Sequence, residues 1–231
     1  MAAMTRQNVI DLARALLNAT GDLNWSDATM IVLADAANRF VMDLLCASDP
    51  AWVATRTSFV WAANTERVDL TSAGALNAEP KKIIDVYETP SSGAPSDSNR
   101  STPWTAIGHT ARHRRQGYYP RRHIAPSSDV AWSLAGNYMY ASPVPASARN
   151  LHVEWVPQAT ALSASSTEVL SGQGEQFGDT VALYLAVLMN MKDNHNPSVR
   201  DSWADQEDRI KVQAGIRQSQ RVRVVGSEGR A

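Results

Sequence analysis

The hydrophobic period changes twice along this 231-residue chain, from helical to strand-like and back, and few folds accommodate that order. Val9, Leu12, Ala13, Leu16 and Leu17 recur at i, i+3, i+4, i+7 and i+8, a one-sided apolar stripe that predicts a helix from about Thr5 to Asn18, stopped by Gly21. Ser26 then offers an N-cap with Asp27 in the first turn. Met30, Leu33, Ala34, Ala37, Val41, Leu44 and Leu45 carry a second stripe to about Ala47, where Asp49-Pro50 ends it. From Trp52 to Trp61 the period falls to two and β-branched and aromatic residues dominate, so a strand is expected there. Shorter strands are expected at Arg67 to Leu70, Lys81 to Glu88, Val130 to Leu134, Tyr138 to Ala141 and Leu151 to Val156, with Leu134-Ala135-Gly136-Asn137 as a tight hairpin. Trp104 to Gln116 reads as a short basic helix weakened by Gly108. Helical spacing returns with Phe177, Val181, Tyr184, Leu185, Leu188 and Met189, a helix apolar nearly all round and therefore central. Val199, Trp203, Ile210 and Ala214 mark a fourth helix, and no stripe continues beyond Gln218.

Two amphipathic helices cannot bury both stripes alone, so the expected architecture is α+β. Residues 1–48 and 175–216 would form an antiparallel helical bundle. Residues 49–174 would form a β-rich insertion, a small antiparallel sandwich or barrel-like sheet with a basic loop at 89–126. Residues 217–231 would be an extended C-terminal tail.

Composition narrows the function classes. The chain is 44% hydrophobic and 19% charged, which is a folding composition and not a disordered one. Its longest apolar run, Val181 to Met189, is far below the ~20 residues that cross a bilayer, and MAAMTRQNVID has no apolar leader core, so neither membrane insertion nor export is expected. A lone cysteine, Cys46, excludes an internal disulfide and a cysteine zinc cage, and its place on the second stripe makes it a buried structural thiol. Net charge is −1, yet 89–126 holds six arginines against one aspartate and 217–231 holds four arginines against one glutamate, leaving the rest of the chain acidic. An acidic body with two basic segments suits an oriented contact with another macromolecule. Eighteen of the 22 basic residues are arginine, whose planar fork favours interfaces and phosphates, although a GC-rich genome gives the same bias.

No GxxxxGK[ST], HExxH, GxSxG or CxxC pattern occurs, and no catalytic residue, metal site or cofactor is expected. Gly172-Gln173-Gly174 lacks the third glycine of a phosphate cradle. Asp201, Asp205 and Asp208 share a helical face, but Arg209 and Lys211 lie one turn away, so the face reads as solvated ion pairs. His109 and His113 at i, i+4, with His123, have a zinc-like spacing. Five arginines lie among them and no carboxylate occurs between Asp97 and Asp129, so a basic loop is the better reading. There Arg112, Arg114, Arg115, Arg121 and Arg122 surround Tyr118 and Tyr119. That mixture serves a protein interface or, as the alternative function, a nucleic-acid-binding module. The seven tryptophans read as core or interface anchors, with Trp104 the one expected to face a partner.

The order of elements resembles the head-tail adaptor (connector) proteins of tailed bacteriophages. Trp25-Ser26-Asp27 is similar to that family's "WSD" start of the second helix, and Phe59 to Leu70 to its aromatic-then-"Y-D-L" strand, with Val68 in place of the tyrosine. Ile83-Ile84-Asp85-Val86 resembles the strand before the variable insertion. Tyr138-Met139-Tyr140-Ala141-Ser142-Pro143 resembles the "L-x-L-x-P-x-P" strand, and Leu151-His152-Val153-Glu154-Trp155-Val156-Pro157 the "v-E-Y-v-x-x-P" strand. Phe177 to His195 is similar to the long helix that ends in an Asn/Asp-rich turn. The resemblance spans most of Asn8 to Ala214 but matches neither the 89–125 insertion nor the tail. It implies a non-enzymatic virion protein at the neck, assembled in the host cytoplasm. Such a protein forms a homo-oligomeric ring, typically of twelve subunits, that docks on the portal protein, presents a surface to tail or neck proteins, and surrounds passing DNA without reading its sequence. The residues expected to meet portal, tail or a neighbouring subunit are Arg217, Arg221, Val222, Arg223 and Val224 of the tail, together with Trp104, Arg112, Arg114, Arg115, Tyr118, Tyr119, Arg121 and Arg122. The Arg-Val alternation from Arg221 is expected to add as a strand to a portal surface or sheet edge.

Overall fold

A computed structural model describes residues 4–17, 26–89, 102–106, 130–170, 176–193 and 198–227. The protein is α+β and divides into two compact units, Met1–Val53 with Ala159–Ala231, and Ala54–Gln158.

The first unit holds the helices. In α1 (Arg6–Leu16), Thr5 caps the first turn by accepting from the Asn8 amide, and Val9, Ile10 and Ala13 are buried as their spacing requires. α2 (Asp27–Ser48) starts at the expected cap, with the Ser26 side chain accepting from the Thr29 amide at 3.2 Å. Its stripe from Met30 to Leu45 faces inward. α3 (Gly178–Asp193) touches each of the other three helices and buries Val181, Ala182, Leu185, Ala186 and Met189, which is why its sequence is apolar all round. α4 (Ser198–Ser227) buries Val199, Trp203, Ile210 and Ala214, the four residues of the expected stripe.

Three expectations need correction in this unit. Trp52 does not open a strand. Pro50–Trp52 forms a 3-10 turn because the Asp49 carboxylate accepts from the Ala51 amide at 3.1 Å, and Trp52 packs on Phe177. The chain from Ala159 onward, placed by its loop-like sequence with the β-rich insertion, belongs with the helices. Its carbonyls cap α1: the Arg6 amide donates to Thr167 O at 2.8 Å and the Gln7 amide to Ser165 O at 3.1 Å, while the Arg6 guanidinium donates to Leu162 O and Ser163 O. Finally, an extended tail was expected from Arg217, whereas α4 continues to Ser227. No proline interrupts that run, so nothing in its sequence breaks the helix before Gly226.

The second unit holds two sheets. One has the order β1 (Thr55–Trp61), β8 (Arg149–Pro157), β3 (Pro80–Glu88), β4 (Thr102–Pro103). The other has the order β2 (Arg67–Asp69), β7 (Tyr138–Ser142), β6 (Ala131–Ala135), β5 (Thr105–Ala106). All pairs are antiparallel except the two-residue β5–β6 contact. A single apolar cluster draws Phe59, Trp61, Val86, Leu151, Val153 and Trp155 from the first sheet and Trp132, Met139 and Ala141 from the second. The expected Trp104–Gln116 helix does not begin at Trp104, which lies between β4 and β5. Pro103 lacks an amide donor, and Trp104 N donates to Val86 O at 2.7 Å.

The β6–β7 hairpin turns at Gly136-Asn137, and Gly136 has φ +57°, the left-handed value that a two-residue hairpin needs at its first central position. A Cβ there would meet no atom within 4 Å, so Gly136→Ala should cost only the backbone strain, about 1–2 kcal/mol. Urea unfolding measures this, and an unchanged midpoint would show that the turn adopts another conformation.

Candidate partner-binding surfaces

Trp104 is not available to a partner. It is 3% exposed, its indole Nε1 donates to Glu88 Oε1 at 2.9 Å, and its ring lies 5.4 Å from that of Trp61. Trp132 Nε1 donates to the Trp104 carbonyl at 3.1 Å, and Arg149 Nη1 donates to the other Glu88 oxygen at 3.1 Å. A short strand on either side holds the indole in place, and burial inside the apolar cluster explains why a tryptophan occurs within a basic segment. Trp52, Trp61, Trp132, Trp155 and Trp203 are also buried, as their reading as core anchors requires.

His109, Arg112, His113, Arg114, Arg115, Tyr118, Tyr119, Arg121, Arg122 and His123 lie outside the described residues, as does Trp25. Among the described residues, no group of three or more His, Cys, Asp or Glu is placed to hold a metal ion, and no helix is long and apolar enough to cross a membrane.

The remaining expected contact residues, Arg217, Arg221, Val222, Arg223 and Val224, belong to α4 and not to a strand. Helical spacing places Arg217 and Arg221 one turn apart, and Val224 follows one turn later. α4 extends thirteen residues past Ala214, the last position of its expected stripe, or roughly 20 Å at 1.5 Å per residue. No carboxylate occurs in that stretch before Glu228.

The first half of α4 is firmly seated. Trp203, Tyr184 of α3 and Phe40 of α2 form an aromatic set, with Phe40 stacked on Tyr184 at 4.2 Å and Tyr184 at 4.6 Å from Trp203. Gln206 Nε2 donates to Thr180 Oγ1 at 3.2 Å. Burial, and secondarily the Glu207 charge, raises the Tyr184 hydroxyl above its ordinary pKa, so it stays protonated at neutral pH. The outward side carries an open cleft of about 500 Å³ lined by Asp205, Asp208, Arg209, Val212 and Gln213. Lys211 donates to Glu207 one turn earlier and not to Asp208, as i, i+4 geometry favours, and this bond raises the Lys211 pKa.

Several exposed apolar residues escaped the sequence reading because they lie off the stripes: Val32 on α2, Val212 on α4 and Val60 on β1. Only alternation could have flagged Val60, since it shares the outer face of β1 with Arg56 and Ser58. No protein-family model matches the chain, and no curated protein matches it.

Proposed function

We propose that the chain is a head-tail adaptor of a tailed bacteriophage, a structural protein that forms a ring under the portal, joins capsid to tail and surrounds the DNA channel. In this reading the four helices form an antiparallel bundle, and the two sheets of the inserted unit form a β-sandwich that presents loops to tail or neck proteins. The order of helices and strands, with the motifs that resemble the adaptor family, supports it.

The observation that carries the reading is the continuation of α4 past the apolar stripe of its sequence as a helix with three arginines and no carboxylate before Glu228. A basic helix end of roughly 20 Å is suited to an acidic or carbonyl-rich surface on a partner. The acidic remainder of the chain fits a channel wall that does not retain passing DNA, since contacts from Lys and Arg to phosphate give nonspecific affinity.

The test is co-expression with the portal protein encoded nearby, followed by electron microscopy of the co-purified material. Extra density stacked on one end of the portal ring is expected. Deleting the residues after Gln218 should abolish that density while the circular dichroism spectrum changes only by the lost helix. Portal docking by the truncated protein would remove α4 from the interface. No association between two folded partners would sink the adaptor reading, and affinity for DNA falling steeply with salt would then favour the nucleic-acid module.

A further inference from the structure

Arg6 is a cation buried at the start of a helix. It is the first residue of α1 and 9% exposed, and no acidic residue stands in that first turn. The N-terminal end of a helix is itself positive, so an arginine there gains nothing from the backbone dipole. Among the described residues, no carboxylate forms an ion pair with it. Asp35 accepts from the Leu162 amide at 3.2 Å, beside one of Arg6's own acceptors, but its other oxygen is paired with Arg39 at 2.7 Å. Glu168, whose backbone bridges to Thr5, is exposed.

A guanidinium carries five N–H donors. Nη1 gives its two to Leu162 O at 2.9 Å and Ser163 O at 3.0 Å. Nε is buried and has no partner, and among the described residues no bond reaches Nη2. The unmet donors are therefore those of the Nε–Nη2 edge, where two parallel N–H groups match the two oxygens of a carboxylate or phosphate. Buried donors normally find an acceptor, and buried charges are normally compensated. A water molecule would satisfy the donor and leave the charge, whereas an anion satisfies both.

We infer that the Nε–Nη2 edge of Arg6 is a binding site for a small oxyanion, held through two of its oxygens at the start of α1. The Leu162 and Ser163 carbonyls fix the guanidinium from Nη1, so the free edge is oriented before anything binds. The helix amides do not contribute, because those of Arg6 and Gln7 donate to Thr167 O and Ser165 O. Recognition thus rests on one side chain. Nine-tenths of Arg6 is covered, so the ligand is a free ion or the tip of one acidic side chain. The site does not depend on the adaptor reading.

Inorganic phosphate is the probe, titrated into the full chain at constant ionic strength with chloride as the balance. Phosphorus-31 line widths follow binding, and thermal unfolding by circular dichroism follows stability. Wild type should saturate, and phosphate at ten times its Kd should shift the unfolding equilibrium about elevenfold toward the folded state. Arg6→Lys keeps the charge and loses the parallel pair of N–H groups, so its binding should weaken by about tenfold or more. In wild type the Arg6 Nε–H proton resonance should move in step with saturation, which locates the site without a substitution. Acetate in place of phosphate separates the sources. Saturation by both supports a site that also takes a carboxylate side chain, and saturation by phosphate alone supports a free-ion site. A response that never saturates, which is an adventitious ion only, would overturn the inference. So would an Arg6 Nε–H resonance that stays still, or a folded Arg6→Lys chain that binds like wild type.

Discussion

Trp61→Ala should cost the β-rich unit about 3–5 kcal/mol, the usual loss for a fully buried large aromatic and a large share of a typical domain's stability. Trp61 is 0% exposed at the end of β1, and its ring packs against Trp104 at 5.4 Å within the cluster both sheets supply. Its Nε1 donates to Thr65 O at 2.8 Å, which fixes the turn toward β2. Truncation therefore opens a cavity and also leaves that carbonyl without its donor. Trp61→Phe keeps most of the apolar volume and loses the hydrogen bond, so it should cost about 1–2 kcal/mol. Urea unfolding followed by tryptophan fluorescence, with circular dichroism as a second probe, measures both. A loss below 1 kcal/mol for the alanine variant would mean that the cluster is not organised around this residue.

The second large effect is expected at Asn38, on the buried side of α2 and 1% exposed. Its Nδ2 donates to Thr160 O at 3.2 Å and its Oδ1 accepts from the Leu170 amide at 3.0 Å, so one side chain holds both ends of the 160–170 segment. Leu170 has φ +48°, a left-handed conformation that costs a leucine roughly 1–2 kcal/mol and needs such an anchor. Asn38→Ala removes both bonds and leaves a buried amide and a carbonyl without this partner, so a loss of about 2–4 kcal/mol is expected. The released segment also supplies the carbonyls that cap α1. Hydrogen exchange at the Arg6 and Gln7 amides should therefore accelerate in the variant. Protection there identical to wild type would separate the anchor from the cap and defeat this account.

The sequence was most legible where a period repeats. The stripes of α1, α2 and α4 and the alternation of β1 follow from burial on one face, and the Ser26 cap and the Gly136 turn follow from local stereochemistry. It was least legible where structure depends on distant partners. The 159–170 segment looks like an ordinary polar loop because its role is to present carbonyls to Arg6 and Asn38, more than a hundred residues away in sequence. Trp104 looked like an interface anchor because arginines follow it in the chain, while its fate was decided by Glu88 and Trp132. The end of α4 carries no stripe, and its helix persists without one. Of the expected contact residues, those on α4 are placed by its backbone, Trp104 is withdrawn into the core, and the Arg112–Arg122 group lies outside the described residues.

The β-rich unit enters at Ala54 and leaves at Gln158, and the strands at those points, β1 and β8, are partners whose rungs begin at Thr55↔Trp155. Its two ends therefore emerge side by side, about one strand spacing apart. Joining Val53 to Ala159 through a short glycine-serine link would close only a small loop, at a low entropic cost. The helical host can thus lose, gain or exchange this cassette without a new path for its own chain. Recombination could in this way fit one scaffold with differing β-rich heads while leaving the helices that carry α4 unchanged.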